Sequence, residues 1–182
     1  MDAADEDDDE DDAPPGLPKD APFVMSPEGH AALADEARRL WQEERPRVVE
    51  VVSWAASLGD RSENADYQYG KRRLREIDRR LRFLRRRLDR AQVVDPARPA
   101  RRDRVFFGAT VTYAREDGAE ATVTVVGLDE ADAGRGRISY AAPVARALLG
   151  ASVGDLVRLR TPGGLEELEV LAIRYPGAES PP

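Results

Sequence analysis

At 182 residues, with 41% hydrophobic and 35% charged side chains and a formal net charge of −7, the chain can hold one ordinary domain or two small ones. Its excess of charge points to long solvated helices or a charged partner. The absence of cysteine and the single histidine, His30, exclude disulfide frameworks, thiolate metal sites and most zinc sites, leaving carboxylates as the obvious groups for chemistry.

No run of about 20 apolar residues and no basic-then-apolar leader is present, so a cytoplasmic protein without a membrane partner is expected. The charge is unevenly placed. Residues 1–20 carry ten Asp/Glu and one Lys, which leaves the other 162 residues net +2. The run from Asp5 to Asp12 is wholly acidic, Pro14, Pro15 and Pro18 follow, and almost nothing apolar is there to bury. An acidic disordered tail is therefore expected over residues 1–22.

From Ser26 the chain reads as a helix start: Ser26 is a capping residue, Pro27 suits the first helical position, and Glu28 and Asp35 lie early in the helix. Pro46, inside the long helical pattern that follows, predicts a kink or a break. Val48, Val51, Ala55 and Leu58 then form a narrow apolar seam that stops at Gly59. A second helix carries Leu74, Ile77, Leu81, Leu84 and Leu88 at alternating spacings of three and four. Two such helices joined by a few residues fold back on each other. An antiparallel coiled-coil hairpin is predicted, each arm reaching about 40 Å. Trp41 and Trp54 are expected to pack within it. Gly70 falls on the seam and costs about 1 kcal/mol relative to Ala, which predicts an arm that is locally soft near its tip. His30 is assigned no function.

Between the arms stand residues 60–66. If Asp60 caps the second helix, Asp60 and Glu63 both project from its first turn, beside the positive end of the dipole. That spacing is also the spacing of an ordinary capped helix. Alternatively, two exposed carboxylates at the end of a long arm complete a Mg2+ site whose other ligands come from another molecule, because Mg2+ commonly binds one or two carboxylates plus phosphates. Behind the tip, residues 71–90 carry eleven Lys/Arg and three Asp/Glu. That density suits nucleic acid phosphates or an acidic protein groove. A solvated helix face, with some of these cations paired to Glu43, Glu44 and Glu50 across the hairpin, accounts for the same run.

Pro96, Pro99 and several Arg residues mark a linker, after which the period changes. Val105 to Ala114 and Ala121 to Leu128 read as strands turned by Glu116, Asp117 and Gly118, and Arg137 to Tyr140 reads as a third. A short helix is expected from Pro143 to Leu149, ended by Gly150. Leu156 to Thr161 and Leu165 to Tyr175 then pair around Pro162, Gly163 and Gly164. The fold class is α+β. The chain divides into a tail (1–22), a hairpin domain (23–95), a linker (96–104), a small antiparallel β domain with one short helix (105–176) and a disordered end (177–182).

The segment from Trp54 to Tyr69 and the basic stretch from Lys71 to Arg80 resemble the tip and second arm of GreB-type transcript cleavage factors of the Gre family. The resemblance continues through Trp41–Pro46, Val105–Gly108, Val126–Glu130, Pro143–Leu149 and Val153–Asp155. It implies an FKBP-like C-terminal domain that docks at the rim of the secondary channel of bacterial RNA polymerase, and a coiled coil that passes down the channel to the catalytic Mg2+. By the same resemblance Asp60 is a Mg2+ ligand, and Glu63 is a ligand or a water-orienting base, the ion being held jointly with polymerase. Ser62, Asn64 and Asp66 shape the tip. Lys71, Arg72, Arg73 and Arg75 contact the 3' segment of backtracked RNA, and Asp129, Glu130, Pro143 and Arg146 belong to the docking surface. The resemblance also implies a monomeric cofactor protein and not an enzyme. The chain departs from the family pattern at Ala141-Ala142, where GreB-type proteins usually carry Asp-Ser. Two other readings stand beside this one: a non-cleaving regulator on the same scaffold, against which the retained Asp60 and Glu63 argue, and a prolyl isomerase, for which residues 105–175 show no apolar pocket.

Overall fold

The computed structural model describes Pro18, residues 21–59 and residues 64–177. These are α+β and divide into two compact units, one of His30–Ala91 and one that joins the residues up to Gly29 to those from Gln92 onward.

In the helical unit, α1 (Pro27–Arg39) leads through a π-helical turn (Leu40–Glu44) into α2 (Arg45–Ser57), and α3 (Ala65–Asp89) returns. Pro46 does not break the helix. The Arg45 N–H reaches back five residues to the Leu40 carbonyl, and this widening just ahead of Pro46 eases the clash its ring makes with the preceding turn. α2 and α3 run antiparallel, since Asn64 meets Ala55 at one end while Arg73 meets Glu44 and Asp78 meets Arg45 further along.

On α3 the predicted seam holds, with Ile77 and Leu84 fully buried and Leu74, Leu81 and Leu88 half-buried. On α2 it is rotated. Ala55 is buried and Val48 and Val52 are half-buried, while Val51 and Leu58 face out. Gly70 accounts for the rotation. It is buried, and a Cβ there would collide with Val52 Cγ2, so its bare backbone is what admits Val52. Gly70 is a close-packing position instead of the soft point expected from propensity. The two tryptophans are also corrected: Trp41 and Trp54 are 60% and 57% exposed. Their neighbours Leu40 and Ala55 take the inward positions, and a side chain one residue along points about 100° around the axis.

In the other unit β1 (Phe23–Met25) pairs with β2 (Ala91–Val93), strands too short for any periodicity to announce. The main sheet has the order β5-β4-β3-β7-β6, with β3 (Thr110–Arg115), β4 (Glu120–Val126), β5 (Arg137–Ser139), β6 (Leu156–Thr161) and β7 (Gly164–Arg174). The β3–β4 turn is the predicted one: Gly118 has φ 81° and Asp117 Oδ1 accepts the Ala119 N–H at 2.9 Å. The sheet is not wholly antiparallel as expected. Two 3-10 turns, Leu128–Glu130 and Ala133–Arg135, carry the chain back so that β5 runs parallel to β4. Val111, Val125, Leu168 and Val170 point inward with α4 (Pro143–Leu148), whose Ala145 and Leu148 are fully buried against them.

Candidate functional site

The arm's end is built by local rules. Gly59 leaves α2 at φ 112°, a conformation that strains any residue with a Cβ. The chain re-enters helix at Asn64, which does two jobs: its Oδ1 accepts the Tyr67 N–H at 3.1 Å as the N-cap of α3, and its Nδ2 donates to the Ala55 carbonyl at 2.9 Å. The cap expected at Asp60 therefore belongs to Asn64, whose amide satisfies an orphan donor of α3 and an orphan acceptor of α2 together. Asp66 sits exposed in the first turn of α3. Asp60, Ser62 and Glu63 lie outside the described residues, four positions or fewer before that cap. Among the described residues no three carboxylate or histidine groups stand close enough to hold a metal by themselves. Trp54 and Leu58 on the last turns of α2 and Tyr69 near the start of α3 are 57%, 61% and 68% exposed.

The four predicted RNA-contacting cations behave differently. Arg73 is committed to the hairpin: its Nε meets Glu44 Oε1 at 2.8 Å, Nη2 meets the same oxygen, and Nη1 meets Glu76 at 3.0 Å. Those carboxylate bonds raise its pKa above the ordinary arginine value. Glu44 thus has the cross-hairpin role expected of it, though with Arg73 as partner, and Arg80 pairs with Glu36 through two bonds of 2.7 and 2.9 Å. Arg80 holds the Glu36 carboxyl below its usual range. Lys71 lies over the Tyr67 ring at 5.6 Å. Arg72 and Arg75 are exposed and make no ion pair among the described residues.

On the β unit, Pro143 opens α4 and Arg146 lies one turn on, both exposed, while Asp129 is exposed on the first 3-10 turn. Ala142 stands at the α4 N-cap without a side-chain bond. Glu130 differs from the other three. Its side chain is 8% exposed. It accepts the Ser26 and Gly127 N–H groups at 3.0 and 3.1 Å and the Ser26 hydroxyl, with Arg137 Nη2 3.7 Å away. The Ser26 hydroxyl in turn accepts the Gly29 N–H at 3.0 Å and so caps α1. Glu130 is turned inward, holding the start of α1 to the loop after β4. Nothing in the local sequence signals this, because its partner is 104 residues away.

Two family models match: transcription elongation factor, N-terminal, over residues 23–93, and transcription elongation factor GreA/GreB, C-terminal, over residues 99–175. The chain belongs to the GreA/GreB family of transcription elongation factors. It is 54% identical over 151 residues to transcription elongation factor GreB of Neisseria meningitidis serogroup B, covering 83% of this chain and 93% of that one. It is 50% identical over 155 residues to GreB of Pseudomonas aeruginosa, covering 85% and 92%. Among solved structures it is similar to GreA factor homolog 1 (Gfh1) of Thermus thermophilus, at 25% identity, TM-score 0.39, and coverage of 84% of this chain and 99% of that one. The range matched by the N-terminal Gre model, residues 23–93, contains Asp60, Glu63 and all of α3.

Proposed function

We propose that this elongation factor works by transcript cleavage: its α2–α3 hairpin is a coiled coil that enters the secondary channel of RNA polymerase, and its FKBP-like β unit docks at the channel rim. The observation that supports the reading is the extent of the family match, which takes in residues 23–93 and 99–175 and so the stretch of sequence that holds Asp60 and Glu63. Asp60 and Glu63 offer only oxygen donors and only two side chains, a set that suits a Mg2+ ion completed by polymerase and RNA and is too small to retain one alone. Such an ion, when bound, supplies charge neutralisation at phosphorus and lowers the pKa of its water. Asp60 contributes a ligand oxygen, and Glu63 orients the attacking water or takes its proton. Arg72 and Arg75 hold the 3' RNA segment through its phosphates without reading sequence, and Arg73 reinforces the arm behind them.

The test is a backtracked elongation complex carrying labelled RNA, incubated with Mg2+ and the wild-type chain. Release of 3' fragments is expected, and loss of that release in Asp60→Ala and Glu63→Ala. Binding to polymerase without any fragment release by the wild type would make the chain a non-cleaving regulator.

A further inference from the structure

Within the helical unit, the stretch from α1 into the π-helical turn and the facing part of α3 bury one row of side chains and leave the next half-covered. Leu33 and Leu40 are buried, as are Ile77 and Leu84. In the neighbouring row Ala37, Leu81 and Leu88 are only half-buried and Trp41 is 60% exposed. Along that row runs an open groove of 660 Å³, lined wholly by residues of the helical unit. Two helices supply two walls of a bundle, and such a groove is where a further helix packs. Trp41 is already held in place for that use. Arg45 lies over its ring at 5.5 Å and is itself anchored to Asp78 at 2.8 Å. Neither the tip nor the RNA contacts of the cleavage reading draw on this surface.

We propose that the groove receives an acidic amphipathic helix of a partner protein. Leu81 and Leu88 stand seven residues, or about 10 Å, apart along α3, so the floor suits apolar side chains at i, i+3 or i+4 and i+7, the anchors of a helix laid in a groove. A tryptophan flanked by arginines is also the composition of the residues that dominate protein interfaces. The rim sets the charge of the occupant. Arg38, Arg45, Arg82 and Arg85 line the groove against Asp78 and Asp89. Asp78 is committed to Arg45, whereas Arg85 and Asp89 are 3.5 Å apart and both mostly exposed. Arg82 is exposed and makes no ion pair among the described residues. Standing three apart on one bank, Arg82 and Arg85 match two acids three or four apart on the incoming helix. An RNA strand fits worse, because the apolar floor offers its phosphates no donor and Asp78 and Asp89 repel them. A contact of about three turns lies at the small end of protein interfaces, which corresponds to a Kd on the order of 10 μM.

The chain's two tryptophans make the test internal, since Trp41 lines the groove and Trp54 does not. The full chain, labelled with nitrogen-15, is titrated at low salt with a fluorescein-labelled helical peptide of about five turns that carries leucine along one face and glutamate elsewhere. The Trp41 indole N–H resonance is expected to shift while that of Trp54 stays in place. By anisotropy of the same peptide, Arg82→Gln combined with Arg85→Gln is expected to weaken binding about fivefold, and Trp41→Ala about 30-fold. All three side chains are exposed, so the helix content read by circular dichroism is expected to stay unchanged. No Trp41 shift, an equal shift at Trp54, or unchanged affinity in the arginine variant overturns the proposal. An equal Trp41 response to a peptide of the same composition with its leucines scattered round the helix overturns it too. The same response to oligouridylate gives the groove to RNA, and a response to concentrating the protein alone gives it to a second copy; either result overturns the partner helix.

Discussion

Glu130→Ala is the sharpest perturbation of the fold that the structure offers. The carboxylate is nearly buried and accepts three hydrogen bonds, from the Ser26 N–H, the Ser26 hydroxyl and the Gly127 N–H. Its removal takes the acceptor from the backbone N–H groups of two buried residues, Ser26 and Gly127, and loosens the hydroxyl that caps α1. Hydrogen bonds to a charged acceptor contribute about 1.5–3 kcal/mol each, and a stranded buried donor costs ~1–3 kcal/mol. These terms overlap, so the expected loss is about 3–4 kcal/mol, the range found when one member of a buried charged pair is removed. In a unit of 60–100 residues that lowers the melting temperature by more than about 10 °C. Glu130→Gln keeps the shape and one good acceptor but turns an NH2 towards a donor, and is expected to lose roughly half as much. Urea unfolding followed by far-ultraviolet circular dichroism measures both variants. A loss below about 1 kcal/mol for Glu130→Ala would refute the inward role and return Glu130 to the exposed docking surface.

Gly70→Ala sets a helix-propensity gain of about 1 kcal/mol against overpacking on Val52, which costs ~1–3 kcal/mol. Net destabilisation is expected, reversed when Val52→Ala is added, as a double-mutant cycle by thermal melting will read. Ala142→Ser restores an N-cap side chain to α4 and is expected to stabilise the β unit by about 1 kcal/mol in urea titration. Tyr175→Phe removes the hydroxyl that donates to the Arg104 carbonyl at 2.6 Å and accepts the Phe106 N–H at 2.9 Å, at a cost of about 1–3 kcal/mol. Burial raises the Tyr175 pKa. Its contribution is therefore complete below the unfolded value near 10 and lost as pH climbs through the higher folded value, a fall in stability above about pH 10 that Tyr175→Phe lacks.

The legibility of the chain was set by the range of the interactions involved. α3 was readable because its Leu and Ile residues stand at helical spacing amid arginines, so only one face is apolar. α2 was not, because Val48, Val49, Val51 and Val52 offer apolar side chains all round, and only the bare backbone of Gly70 decides which valine turns in. The π-helical turn before Pro46 is a local accommodation of a kind periodicity does not register. The tip was legible as a short acidic connection, yet the choice of Asn64 over Asp60 as cap depends on a bond to Ala55 in the other arm. The cationic run was visible in full, but its division into Arg73 and Arg80, tied to carboxylates across the hairpin, and Arg72 and Arg75, left to solvent, needed the pairing of the arms. The direction of β5 and the inward turn of Glu130 depend on contacts distant in sequence.

The central claim is that Asp60 and Glu63 do chemistry and do not merely shape the tip. Charge-neutral Asp60→Asn and Glu63→Gln address it directly, through single-turnover cleavage of backtracked RNA across a Mg2+ titration, with polymerase affinity measured on the same samples. The account predicts unchanged affinity and cleavage slowed about 100-fold or more in each variant, with Asp60→Asn also demanding more Mg2+. Cleavage at the wild-type rate by either variant, at equal occupancy, would contradict it.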